Sequence, residues 1–414
     1  MKEIKPEFET FARIKVVGVG GSGNHAISRM IEAGLSGVDF VAINTDSQDL
    51  HHCKASEKIH IGKNLTRGLG AGMNPDVGRQ ASEENRDEIQ DVLKNTDMVF
   101  ITCGLGGGTG TGAAPIVAEA AKEAGALTVA VVTKPFMFEG MQRKRIAEDG
   151  LESLTRHVDT IITIPNDKIL QVIDKKTLLL DSFKFADDIL RQGIQGISDL
   201  ITIPGIVNVD FADVKSIMQN TGSSLMGIGK ASGENRAVEA AKQAINSPLL
   251  ELSIDGANGV LFNVSGGADL TMMEINEAAS IITEFIDDEA RVIFGAVTDE
   301  NLKKGEIKVT VIATGFSDGN NNNKRINIDN VVDEEINFMN KEANCEKLSD
   351  ETVFTDENID SDDTENNGKK DKFENANKKN EVENNAFSSK ISPVSTDDEY
   401  DVPAFIRKKI KKEE

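Results

Sequence analysis

Residues 104–112 read GLGGGTGTG, six glycines with two interleaved threonines. Glycines admit positive φ, so successive N–H groups can line a concave row, and the hydroxyls can reach phosphate oxygens or a metal's water shell. This is the chemistry of a phosphate cradle. A flexible linker has similar composition, but this run stands between a β-branched segment at 98–102 and an amphipathic stretch at 113–122. A second run, Gly18-Val19-Gly20-Gly21-Ser22-Gly23, follows another β-branched segment and has the GxGxxG spacing of dinucleotide loops, with Asp46 as a candidate ribose partner. Two such loops at strand ends suit a chain of phosphates, as in a triphosphate. A third glycine segment, 68–75, either closes over the terminal phosphate or simply leads into a helix. No GxxxxGK[ST] occurs, because Gly62-Lys63 is followed by Asn64 and Gly229-Lys230 by Ala231. Phosphate charge must be offset without a P-loop lysine.

The elements that would position these loops are legible from periodicity. Strand-like runs at 14–19, 40–44, 98–102, 127–133 and 160–164 alternate with helical stretches at 76–93, 113–122 and 141–155. That is the βαβ rhythm of a parallel sheet covered on both faces, whose ligands lie at the carboxyl ends of the strands. Phe183, Ala186, Leu190, Ile194, Ile197 and Ile201 repeat at helical steps over 181–201, and Pro204 ends the pattern. Beyond it, strand-like runs at 223–232, 259–264, 291–297 and 308–313 are separated by helices at 235–245 and 272–286. The expected class is α/β: a Rossmann-like parallel-sheet domain joined by a long central helix to a smaller α/β domain, then a disordered tail. The boundaries read as an N-terminal extension 1–12, a nucleotide-binding domain 13–180, the helix 181–203, a C-terminal domain 204–316, a linker 317–394 and a terminal segment 395–414.

Composition narrows the function classes. The 414 residues carry 46 Lys+Arg against 69 Asp+Glu, a net charge of −23, which repels a nucleic-acid backbone. Hydrophobic content of 39% is below the usual roughly 45–50%, and the shortfall lies after residue 316. There Asn, Asp, Glu, Lys and Ser predominate, too little apolar surface to offset the entropy of ordering. Three scattered cysteines and no apolar leader after Met1 suggest a reducing cytosol. No run approaches the ~20 apolar residues of a membrane span. His51, His52 and Cys53 invite a metal reading, but adjacent histidines on a helix point apart, so no metal site is assigned. The terminal segment sets Val402, Phe405 and Ile406 between acidic residues and a basic run from Arg407, the form of a short recognition peptide.

The GGGTGTG of residues 106–112 is a signature of the tubulin-like GTPases, and the chain resembles the bacterial cell-division family among them, FtsZ, well beyond it. Asn44-Thr45-Asp46 and the segments 68–74, 131–136, 164–168 and 208–213 look like that family's blocks in its order. The likeness spans about residues 12–316, and 401–408 resembles the family's C-terminal peptide. It implies GTP binding with Mg2+, head-to-tail homopolymers, a cytoplasmic ring at the midcell division site, and membrane-tethering division proteins as partners of residues 397–412. Carried over by position, Gly20, Gly21, Ser22, Gly23, Asn24, His25, Asn44, Ala71, Gly72, Gly107, Gly108, Thr109, Gly110 and Thr111 would hold phosphates and sugar. Glu139 and Arg143 would face ribose and phosphates, and Asn166, Phe183 and Asp187 the guanine. A carboxylate at Asp187 can accept from guanine N1–H and its exocyclic amine, which adenine cannot offer, while Phe183 one turn earlier supplies a stacking face. One departure stands out. The family usually has asparagine where this chain has His25, and an imidazole makes fewer bonds than an amide.

Hydrolysis needs a positioned water, yet the glycine loops contain no carboxylate aimed at the terminal phosphate. Asp210 and Asp213, spaced i,i+3, can present oxygens on one face or serve as helix caps. The resemblance sends their loop into the next subunit's pocket, where both acids would polarise water, Asn208 would orient the loop and Mg2+ would bridge phosphates. The competing class, a nicotinamide-dependent oxidoreductase built on residues 18–23, has no use for 104–112 or for the two acids.

Overall fold

The computed structural model describes residues 12–316 except 173–176, 204, 206, 208, 248–253, 255, 288, 300 and 301. The extension before residue 12, the linker and recognition segment after 316, Pro204 and the candidate Asn208 lie outside the described residues.

The β-branched runs pair as expected. β1 (Ile14–Val19) leads into α1 (Gly20–Glu32), then β2 (Asp39–Asn44), α2 (Ser47–His52), β3 (Glu57–His60), α3 (Lys63–Thr66), α4 (Pro75–Glu84) and α5 (Arg86–Leu93). β4 (Met98–Gly104), α6 (Gly108–Glu123), β5 (Leu127–Lys134), α7 (Met141–Thr155), β6 (Thr160–Pro165), α8 (Asn166–Val172) and the long α9 (Leu179–Thr202) follow. α10 (Phe211–Met218), β7 (Gly222–Ser232), α11 (Arg236–Ile245), β8 (Ala257–Gly266), α12 (Met272–Glu284), β9 (Arg291–Thr298) and β10 (Glu306–Phe316) complete the described chain. The strands lie in the order β3-β2-β1-β4-β5-β6-β7-β10-β8-β9. β1 to β6 are parallel, and β6 joins β7 through Thr160–Gly222, Ile161–Ser223 and Ile162–Ser224, so the two halves share one sheet.

β4 and β5 are buried along almost their whole length, as strands covered on both faces must be. One face packs on Ile27 and Met30 of α1 and on Ile189, Leu190, Ile194 and Ile197 of α9. The other packs on Ala81, Ile89, Leu93, Ala113, Val117, Ala147 and Leu154. Each of the valine, leucine, isoleucine and methionine side chains contributes about 1.5–3 kcal/mol by leaving water.

Three details differ from the sequence expectation. The helix expected over 76–93 is two helices, because Asn85 (φ −111°, ψ 22°) spends its amide on Gly62 N and Glu88 rather than extending the first. α6 begins at Gly108, not at 113, so most of the glycine run is the first turns of a helix. β3, with only Ile59 buried, shows too little pattern to be read in advance.

α9 fixes the long dimension. Near its start Phe183 meets Phe136, just past the carboxyl end of β5, edge-on at 5.5 Å. At its end Thr202 packs beneath Gly37, which precedes β2. The helix therefore crosses the sheet from one edge to the other, and its 24 residues span about 36 Å.

Candidate nucleotide site

The helices that follow β1 and β4 start differently from α2 and α4. α2 is capped by Asp46, whose carboxylate accepts from Gln48 N and Asp49 N, and α4 by Asn74, which accepts from Asp76 N. α1 and α6 have no side-chain cap and no acidic residue in the first turn. Each thus presents its positive end and first amides to the space above the sheet, the arrangement that binds an anion. Both ends lie at the carboxyl edge of adjacent parallel strands, where such sheets hold ligands.

The loops are locked to one another. Gly104 N donates to Ser22 Oγ at 2.8 Å, and Thr45 and Thr109 share a 2.6 Å hydroxyl bond. Thr111 Oγ1 accepts from Gly106 N at 2.9 Å, and Gly108 N donates to Gly72 O at 2.7 Å. Gly20 has φ +74°, and a Cβ there would stand 2.9 Å from Gly110 N. At Gly72 and Gly107, by contrast, a Cβ would meet nothing within 4 Å. The two glycines border open space rather than packed chain.

Beside that space, Glu139 and Arg143 pair at 2.7 Å, and Glu139 also accepts from Phe136 N at 2.9 Å. Arg143 Nε, Asn166 Oδ1 and the whole amide of Asn24 are buried without a hydrogen-bond partner. Unmet polar atoms of this kind suit a ligand that supplies the missing partners. Phe183 is 39% exposed, an uncommon state for a core aromatic. Asp187 Oδ2 is 2.9 Å from Arg29 Nε. Burial raises the Asp187 carboxyl to about 6, and the Arg29 charge works against that rise. The structure thus brings together the glycine loops, Asn44, Glu139, Arg143, Asn166, Phe183 and Asp187 at one edge of the sheet. Thr45, Asp49 and Arg29 belong there too, although the sequence alone gives none of them a role at the site. Arg29 lies one turn from His25 on α1, a readable spacing. Its partner on α9 is distant in the chain and left no local signal.

Asp46, the ribose partner that the oxidoreductase reading requires, uses its Oδ1 to cap α2, accepting from Gln48 N and Asp49 N. Cys103, at the end of β4, is pushed up to about 12 by burial and offers no reactive thiolate. Among the described residues no three His, Cys, Asp or Glu side chains gather to hold a metal. A Mg2+ would fit here only in the way that ion usually binds, carried mainly by substrate phosphates.

Asp210 and Asp213 are elsewhere. Asp210 caps α10 by accepting from Ala212 N at 3.3 Å, and Asp213 lies in the first turn, both exposed. α10 ends with Met218 O accepting from Thr160 Oγ1, at the amino end of β6. The acids therefore lie toward the amino ends of the strands, on the side of the sheet opposite to the glycine loops.

Residues 13–174 match the GTPase domain of the tubulin/FtsZ family, and residues 222–317 match the FtsZ family C-terminal domain. An empty FtsZ dimer from M. jannaschii is 50% identical with a TM-score of 0.72, over 74% of this chain and 89% of that one. A GDP-bound CetZ1 monomer from Haloferax volcanii is 20% identical with a TM-score of 0.64, over 74% and 95%. CetZ2 from the same organism, a GTPγS-bound protofilament, is 19% identical with a TM-score of 0.62, over 73% and 92%. At those identities the CetZ structures speak for the fold alone.

Proposed function

The chain belongs to the FtsZ family of tubulin-like, filament-forming GTPases, and on that premise we propose that it hydrolyses GTP only between subunits stacked head to tail, and so times the division ring of a bacterial septum. The observation that carries this reading is the separation of the glycine loops from Asp210 and Asp213. A nucleotide seated on one subunit's loops meets the acids of a second subunit stacked along the α9 direction. Such a heterologous contact does not close on itself, so it propagates as a filament. The nucleotide sits on residues 20–25, Ala71, Gly72 and 107–111, with Asn44, Glu139 and Arg143 at the sugar and phosphates and Asn166, Phe183 and Asp187 at the guanine. Asp210 and Asp213 polarise the attacking water and Asn208 orients their loop. Mg2+ supplies charge neutralisation between phosphates when bound. Residues 13–180 form the GTP-binding domain, 181–203 the shaft and 204–316 the domain that delivers the acids. The segment 395–414 engages membrane-tethering division proteins at midcell through Val402, Phe405 and Ile406. The resemblance of 401–408 to the family peptide supports that part. No described helix is long and apolar enough to cross a membrane.

Sedimentation and phosphate release measured together against protein concentration test the central claim. Both are expected to rise from zero only above one shared critical concentration. Turnover strictly proportional to protein from the lowest concentration overturns it.

The Arg29–Asp187 pair gives a second expectation. Arg29 takes Oδ2 of Asp187 and leaves the other oxygen for the base. Asp187 must be ionised to accept from guanine, which it is above about 6. Removing Arg29 removes the charge that opposes burial, so the carboxyl moves higher. Arg29→Met is expected to bind fluorescent GDP about threefold to tenfold more weakly than wild type at pH 7, with most of the gap closed at pH 8.5. An equal deficit at both pH values assigns Arg29 a merely structural role.

A further inference from the structure

One residue of the first loop, His25, is paired with a carboxylate, Asp49, to which the function above gives no role. His25 lies in the second turn of α1, and its Nε2 is 3.1 Å from Asp49 Oδ1 in α2. Asp49 is itself fixed. Its amide donates to the capping Asp46 at 3.2 Å, and its Oδ2 accepts from Asn44 Nδ2 at 3.0 Å. A Cβ on Gly21 would come within 3.0 Å of that same oxygen, so the carboxylate lies directly against the first loop. One side chain thus holds two residues expected at the nucleotide, His25 through one oxygen and Asn44 through the other.

The ring is otherwise open, with its side chain 69% exposed, and among the described residues nothing bonds Nδ1. The charged groups facing it are Asp49 from α2, Asp187 from α9 and Arg29 from its own helix. The hydrogen bond to Asp49, with the charges of Asp49 and Asp187, raises the imidazole above its ordinary value against burial and Arg29. Burial works to raise the Asp49 carboxyl, but the bonds from His25 and Asn44 outweigh it and hold it below the usual carboxylate range.

We propose that Asp49 is a positioning residue for nucleotide binding and that His25 is a proton-dependent contact, its Nδ1 donating to an anionic phosphate oxygen of a nucleoside di- or triphosphate when the ring is charged. The proposal rests on the reading that residues 20–25 and 107–111 hold the nucleotide. Asp49 directs Nε2, which leaves Nδ1 at the open side, and it fixes the buried Asn44 beneath the same loop. The charged ring supplies part of the cation support that a P-loop lysine gives elsewhere. Deprotonation converts Nδ1 from donor to acceptor and withdraws the charge, so the nucleotide is held less tightly as pH rises.

The test uses fluorescent GDP with the full chain below its assembly concentration, from pH 6.5 to 8.5, where Asp187 is largely ionised. NMR of the His25 ring proton follows its titration in the same samples. Wild type is expected to lose about threefold to tenfold in affinity across the range, in step with the ring. Asp49→Asn should titrate the ring at lower pH and move the affinity fall with it. His25→Asn should bind more weakly at pH 6.5 than wild type and show no slope. A wild-type slope retained in His25→Asn, or an affinity that ignores the ring's titration, overturns the proposal. Should Asp49→Asn fail to fold, the His25→Asn profile alone decides between those outcomes. Absence of GDP binding by wild type at every pH instead defeats the underlying assignment of the loops.

Discussion

Asp213→Ala protein is expected to bind GTP like wild type and to release phosphate at least about a hundredfold more slowly, the usual cost of losing a group that positions or activates water. Binding survives because Asp213 lies across the sheet from the loops of its own subunit. The decisive experiment is complementation with Gly107→Ala, whose substitution faces the open space of the pocket. With GTP held near the concentration that half-saturates wild type, each variant alone is expected to turn over slowly, one for want of the acid and the other because it binds nucleotide weakly. Mixed in equal parts, they recover turnover at roughly a quarter of the interfaces, because a live one needs the pocket of the first and the acid of the second. A mixture no more active than its components places hydrolysis within one subunit. Normal turnover by isolated Asp213→Ala removes the acid from the mechanism altogether.

The parts of this molecule that the sequence made legible are those whose cause is local. The alternation of 14–19, 98–102 and 127–133 with amphipathic stretches fixes a parallel sheet, and glycine runs at strand ends mark its ligand edge, because backbone freedom is needed where helices start against an anion. The long shaft was equally plain, since Phe183 to Ile201 keeps one helical stripe. What stayed hidden depends on partners far along the chain. Asn85 breaks a helix because Gly62 offers it an amide, and no pattern within 76–93 announces that. Nothing local marks Asp49, which the fold sets 3.1 Å from His25, or Arg29, which meets Asp187 of α9 at 2.9 Å. The proposed pairing of Asp210 and Asp213 with the glycine loops is of a third kind. A single chain does not contain it, and it was the resemblance that pointed to a second subunit.

Gly108→Ala is expected to damage fold and site together, and Gly107→Ala, one residue away, to separate folding from binding. A Cβ on Gly108 would stand 2.8 Å from Asn74 O, 2.8 Å from Gly72 O and 2.9 Å from Ala71 O. All three are backbone carbonyls, with no side chain to swing aside. The 71–74 segment must therefore move off α6, and the 2.7 Å bond from Gly108 N to Gly72 O goes with it. Overpacking of this kind costs about 1–3 kcal/mol, and here the strained loop is also part of the pocket. Gly108→Ala should melt several degrees lower and bind fluorescent GDP at least about tenfold more weakly. Gly107 has φ −92° and ψ 169°, which alanine adopts freely, and open space where its Cβ would lie. Its alanine variant should melt like wild type within the roughly 0.5 kcal/mol typical of exposed positions, yet bind GDP about tenfold or more weakly because the methyl occupies the place of a phosphate. Undiminished GDP binding by Gly107→Ala would show that the open space beside the loop is not where the phosphates lie. Equal melting temperatures for the two variants would show that the 71–74 segment yields without cost, which the triple carbonyl contact forbids.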